Sequence, residues 1–290
     1  MKQIIPIFTM LLLTTFLIGG CRKSGHEHPL LTHDLPQIED SGRLVVLTLY
    51  SSTTYFIYKG EPMGFQYELA KQFAESLGLK LEMKTARSTQ ELVDMLLKGE
   101  GDLIAYPLPI TKAFKDTVTF CGEDIVTHQV LVQRNSTKEQ KALTNVTDLL
   151  DKKVYAKPGK HLDRLTNLDK ELGGGILIQS VTNDSITNED LMMQVSQGTI
   201  DYAIGDDDLA RLNKTYYPNL NIKLAVSFDQ RASWAVRKST PLLAQAANEW
   251  HKNNATSPAY KASSKKYFEH SKRLPHGPIL SIKDGKISHF

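Results

Sequence analysis

Residues 201–212 read DYAIGDDDLARL. An apolar run breaks at Gly205, three aspartates follow, and the pattern then turns helical. A strand that passes into a helix across a polar corner is the unit from which α/β domains are wound. Aspartates at such a corner can cap the first helical turn, bind a metal, do acid–base work or hold an ammonium group. The rest of the chain has to separate these roles.

The same alternation runs through the sequence. RLVVLTLY (43–50) predicts a strand that is apolar on both faces. GFQYELAKQFAESLG (64–78) predicts a helix, with Phe65, Leu69, Phe73 and Leu77 on one face and Gly78 as its stop. Strand, helix and strand follow at 79–86, 89–99 and 101–108, and HQVLVQRN (128–135) is a further strand. After the polar stretch 136–148 the alternation restarts with KKVYAKPG (152–159) and reaches IDYAIGD (200–206) through two more helices. Late strands at 222–228 and 231–239 precede helices at 241–254 and 258–268. Two blocks of this kind predict two α/β lobes with largely parallel sheets, residues 43–134 and 228–270 forming one and 135–227 the other. Ligands of open α/β sheets sit outside the carboxyl ends of strands. Those ends are YPLPIT (106–111) in one lobe and GDDD (205–208) in the other, facing a cleft.

A formal charge of +3 is spread along 290 residues without a block of like charges, so nucleic acid is not implied. The amino terminus differs from the rest. Lys2, the apolar run IIPIFTMLLLTTFLIGG (4–20) and then Cys21 read as an export signal over residues 1–20, and LIGGC resembles a bacterial lipobox. Cys21 would then carry lipid and anchor the chain to a membrane, the outer more than the inner, facing the periplasm. Cys121 is the only other cysteine, which leaves no intramolecular disulfide. Residues 21–42 are polar and predict a tether. Their histidines, His26, His28 and His33, lack a second cluster to complete a metal site, and no metal or cofactor is expected.

GFQYELAKQFAESLG, GDLIAYPLPITKAF (101–114) and IDYAIGDDDLA (200–210) resemble, in order and spacing, the stretches that mark family-3 extracellular solute-binding proteins. Gln66 departs from the first acidic position of the family's signature and Glu68 keeps the second. The resemblance implies a two-lobed periplasmic-binding-protein-like α/β fold with a ligand cleft between the lobes. SSTTYFIYKGEPMGFQYELAK (51–71), LNKTYYPNL (212–220) and QRASWAVRK (230–238) are similar to the amino-terminal sensor domain of the membrane-bound lytic murein transglycosylase F family. SIKDGKIS (281–288) resembles the linker that precedes that family's lysozyme-like domain. The sequence ends two residues later, which implies a binding module without the catalytic glutamate and no enzyme.

The family's site can be carried over position by position. Asp206 stands where an aspartate holds a ligand's α-ammonium, leaving Asp207 or Asp208 to cap the helix. Phe114 stands where an arginine, three residues after Thr111, takes the α-carboxylate. Pro107 and Pro109 replace hydroxyl-bearing positions and lack the backbone N–H. Lys160 and His161 replace the hydroxyl pair after Gly159; either supplies charge for the lost arginine or faces solvent. Thr111 remains as a donor, and Tyr55 and Phe56 match the aromatic wall, or are core. The expected ligand carries an amine but no ordinary α-amino-acid carboxylate, a peptidoglycan-derived peptide being one example. Partners would be that small molecule, the membrane through lipid, and an envelope protein such as a transglycosylase or permease. The alternative is the substrate-binding subunit of an amino-acid ABC transporter, which the missing arginine disfavours. An enzyme that dehydrates small acids lacks an acid–base constellation, and a scaffold binding nothing small is the remaining alternative.

Overall fold

The computed structural model describes residues 33–138, 141–183 and 185–269, together with the backbone of 281–283 and 286–288. The export signal, Cys21, His26 and His28 lie outside the described residues, and so does most of the segment read as a tether. Its last part is folded. Asp34 and Gln37 form a reciprocal capping box on helix α1 (Leu35–Ser41), and Ile38 is fully buried against the first lobe. Burying one isoleucine contributes about 1.5–3 kcal/mol to a seven-residue helix that composition alone reads as linker. His33 lies 3.7 Å from Asp102 instead of in a metal cluster.

Strand β1 (Arg43–Leu49) is followed by the hairpin β2 (Phe56–Tyr58) and β3 (Glu61–Met63), helix α2 (Phe65–Ser76), β4 (Lys80–Ala86), α3 (Thr89–Leu97), β5 (Leu103–Pro109), the single turn α4 (Lys112–Lys115) and β6 (Val118–Thr127). The first sheet has the order β4-β1-β5-β12-β6, completed by β12 (Gln230–Arg237). β1 is parallel to β4 and β5, whereas β12 runs antiparallel to both its neighbours. The family-like signature at 64–78 is structural. Gly64 sits at φ 130°, and a Cβ there would come within 2.2 Å of the Thr54 carbonyl oxygen, so only glycine fits. Gln66 Oε1 accepts from Trp234 Nε1 at 2.7 Å in the core. Glu68 accepts from Ser263 and Tyr267, and so pins the later helix that carries them onto α2.

The second sheet is β11-β7-β10-β8-β9. It contains β7 (Gln129–Arg134), β8 (Lys153–Ala156), β9 (Leu177–Ser180), β10 (Tyr202–Asp206) and β11 (Leu220–Asn221), with helices α5 (Lys160–Glu171), α6 (Asn188–Gln197) and α7 (Asp207–Tyr216). This corrects the lobe boundary expected at residue 134. β7 pairs antiparallel with β10, and Val130, Leu131 and Val132 fill the second lobe's cores, so the chain crosses between lobes near His128. An apolar strand reads the same whichever sheet receives it. The strand expected at 222–228 is also absent: its backbone bonds to β7 only at intervals, as in Leu131 N to Leu224 O at 2.8 Å. Each sheet is parallel on one side of its central strand (β4-β1-β5 and β10-β8-β9) and antiparallel on the other. Helices α8 (Pro241–Asn254) and α9 (Pro258–Phe268) close the first lobe, and α9 touches both α2 and α7. A terminal hairpin of β13 (Ser281–Lys283) and β14 (Lys286–Ser288) follows. Among the described residues, no helix is long and apolar enough to cross a membrane.

Candidate functional site

β8 and β10 are adjacent and parallel, so their carboxyl ends lie side by side. The turn after β8 passes through Gly159 at φ 93° directly into α5, and the turn after β10 passes through Asp206 into α7. Lys160 and His161, opening one helix, therefore arrive beside the aspartates that open the next. Lys160 Nζ is 2.8 Å from Asp206 Oδ2. His161 Nε2 is 3.2 Å from Oδ1, an ion-pair distance with the ring not aligned for a linear hydrogen bond.

The three aspartates have three different fates. Asp206 occupies the N-cap position of α7 but its carboxylate makes no cap hydrogen bond. Burial alone would raise its pKa; the His161 contact and the Lys160 charge outweigh that and bring it to about 2. Asp207 pairs with Arg211 one turn along, at 3.0 Å. Asp208 accepts only from the Leu209 backbone N–H at 2.7 Å, and burial together with repulsion from Asp206 pushes its carboxyl up to about 6. Asp208 lines a cavity of about 160 Å³ with Gln66, Arg211, Tyr260 and Phe268.

Lys160 and His161 thus both meet Asp206 within one lobe. Burial opposes the charge of Lys160, but Asp206 and Tyr106 leave its pKa above the usual lysine value. Phe114 packs against the first lobe's core beside Tyr106. Thr111 caps α4, its hydroxyl accepting from the Phe114 backbone N–H at 3.3 Å. The aromatic wall expected at Tyr55 and Phe56 is not at this cluster. Tyr55 stacks edge-on with Tyr50 and lines an outer groove with Tyr67 and Lys71, and Phe56 packs on the first lobe's core. The aromatic that does face the charges is Tyr106, whose phenol is raised by burial and feels Lys160, Asp206 and Asp208. It stands in the YPLPIT strand end, where the sequence carried the signal. Sequence reasoning also missed Glu189, at the start of α6. Its Oε1 accepts from Ser52 Oγ of the first lobe at 2.9 Å, a bond between the lobes, and burial raises its pKa. Among the described residues no group of three metal-ligating side chains occurs.

Residues 44–270 match the bacterial extracellular solute-binding proteins, family 3. The chain belongs to that family. A membrane-bound lytic murein transglycosylase F of Desulfosudis oleivorans is 33% identical over 203 residues, which cover 70% of this chain and 43% of the relative. The same enzyme of Aeromonas salmonicida is 33% identical over 204 residues, covering 70% and 40%. The chain spans less than half the length of these two relatives. Among solved structures, an ancestral cationic amino acid solute-binding protein superposes with a TM-score of 0.69 at 21% identity, over 81% of this chain and 99% of that one. This solute-binding protein therefore has the two-lobed mixed α/β architecture of periplasmic binding proteins.

Proposed function

We propose that this chain is a lipid-anchored periplasmic binding or sensor module, related to the regulatory half of transglycosylase F, that takes a small amine-bearing ligand between its lobes. Asp206 is the group that would meet the amine. Two facts together support the reading. Asp206 is ionised and turned away from capping duty, while Phe114, at the place of a carboxylate fork, offers only a ring packed on apolar neighbours. An unpaired ligand carboxylate against proline and phenylalanine would forfeit a charge-assisted bidentate contact. Free α-amino acids are therefore poor ligands, and a peptide stem from peptidoglycan, whose amine can enter without an α-carboxylate beside it, is a better one.

Titration calorimetry with free amino acids and with purified stem peptides tests this. Stem peptides should bind and free amino acids should not. Tight binding of a free α-amino acid would favour the transporter-subunit reading instead. For the anchor, Cys21→Ser should release the protein from the membrane fraction or block its processing. A variant that stays membrane-bound and processed as before would refute lipidation.

A further inference from the structure

We infer that Lys160 is a resident occupant of the amine seat, a chain-tethered ammonium that competes with ligand amines for Asp206 and restricts the cleft to ligands that bring further contacts. The inference rests on the reading of Asp206 as the amine seat and adds a specificity-determining residue to it.

Four observations carry it. The Lys160 ammonium is 2.8 Å from Asp206 Oδ2, at hydrogen-bonding distance for a primary amine. Both groups belong to the second lobe and sit on adjacent parallel strand ends, so the contact does not depend on lobe closure. Two basic side chains open α5, where the helix dipole disfavours positive charge. Local helix stability therefore does not explain them, whereas Asp206 does. Finally, the two basic groups differ in freedom. The His161 side chain is 4% exposed and fixed, whereas that of Lys160 is 56% exposed on a four-carbon stem. Lys160 can withdraw into water when another amine takes its place, because its side chain is half exposed on a flexible stem. A ligand sees the seat only during the fraction of time Lys160 leaves it, and its apparent Kd rises by the inverse of that fraction. A ligand offering nothing but an amine is excluded, and one with a peptide body to pack in the cleft is admitted.

The probe is L-alanine amide, an amine without a carboxylate, titrated against the full chain by calorimetry. Lys160→Gln should bind it about tenfold more tightly than the parent does. Lys160→Met should show the same gain, Lys160→Arg should not, and adding Asp206→Asn to Lys160→Gln should abolish it. A mere surface ion pair predicts no gain. A lysine that contacts the ligand predicts a loss. Equal or weaker binding by both Lys160→Gln and Lys160→Met, with Asp206→Asn still weakening the parent, would overturn the competitor and leave the amine seat standing. Binding of the probe by none of these proteins would remove the seat itself, and the inference with it. Should the Lys160 variants fail to fold, the ¹⁵N-lysine spectrum of the parent gives the answer: the Lys160 Nζ signal should move toward that of free lysine as alanine amide is added, and a stationary signal under saturating probe would refute displacement.

Discussion

The two lobes bring opposite chemistry to the cleft. The first presents Tyr106, Pro107, Pro109 and Phe114, and its buried arginine, Arg237, works elsewhere. Arg237 donates to the carbonyl oxygens of Leu96, Gly101 and His33 and pairs with Asp102 at 3.5 Å, at the amino end of β5, the end away from Pro109. The second lobe crowds Lys160, His161, Asp206 and Asp208 onto adjacent strand ends. One lobe keeps its charge for architecture, and the other keeps its charge at the site and satisfies it internally. The half of the cleft that has lost its polar groups cannot be inferred from the half that retains them.

The largest effect that would break this contrast is in the first lobe. Arg237→Met should destabilise by about 3–5 kcal/mol in urea unfolding, because it removes the buried cation paired with Asp102 and the donors to three carbonyl oxygens. It should leave ligand affinity unchanged wherever the variant is folded. A folded variant with altered affinity would mean that the first lobe's cation reaches the cleft after all.

Next come the two aspartates, whose environments push them in opposite directions. Asp208 has a folded pKa of about 6, above the ordinary aspartate value of about 3.9. Between about pH 4 and 6 the folded state therefore holds more protons than the unfolded state, and this group's contribution to stability falls as pH rises. Asp208→Asn should thus stabilise the protein above pH 6, by at most about 3 kcal/mol, and be nearly silent at pH 4. Asp206 has the reverse sign. Its folded pKa of about 2 lies below its ordinary value, so its contribution is present above pH 4 and fades as pH falls toward 2. Asp206→Asn should cost about 1–2 kcal/mol at pH 7, the upper figure discounted because Lys160 is half exposed. Melting curves of both variants from pH 4 to 8 decide it. Two substitutions that move stability in the same direction would show that the aspartates share one environment.

Much of the fold was legible because helix and strand periods are local. The helix at 64–78 and the strand-to-helix turn at 200–212 needed only spacing and a glycine. The lobe that receives β7 was not legible, since Val130, Leu131 and Val132 are apolar on both faces and satisfy either sheet. Helix α1 was hidden by its polar composition, its one fully buried residue being Ile38. At the site, Phe114 at the position where the family resemblance implies an arginine could be read by counting from Thr111. The pairing of Lys160 with Asp206 could not, because 46 residues separate them and only the parallel register of β8 and β10 brings them together. Tyr55 misled for a related reason: an aromatic at the expected position still has two faces to choose from.

The smallest predicted effect concerns the bond that joins the lobes. Ser52, from the apolar side, donates to Glu189 Oε1 at 2.9 Å on the charged side. Burial raises the Glu189 pKa, so its carboxyl gains charge only as pH climbs past the usual carboxylate range. While Glu189 is protonated, the contact joins two neutral groups. Once it ionises, the Ser52 hydroxyl serves a charged acceptor, and such bonds are worth roughly twice the neutral kind. Ser52→Ala should therefore cost about 0.5–1.5 kcal/mol at a pH where Glu189 is ionised and less at one where it is protonated, a difference that urea titrations across a pH series can resolve. Cooperative unfolding should persist, because Leu212 of the second lobe's α7 is still packed in the first lobe's core. A loss that is the same across the pH series would mean that Glu189 keeps one protonation state throughout. A loss well above this range would make Ser52 a main support of closure and the first lobe's cleft face less apolar in its work than its residues suggest.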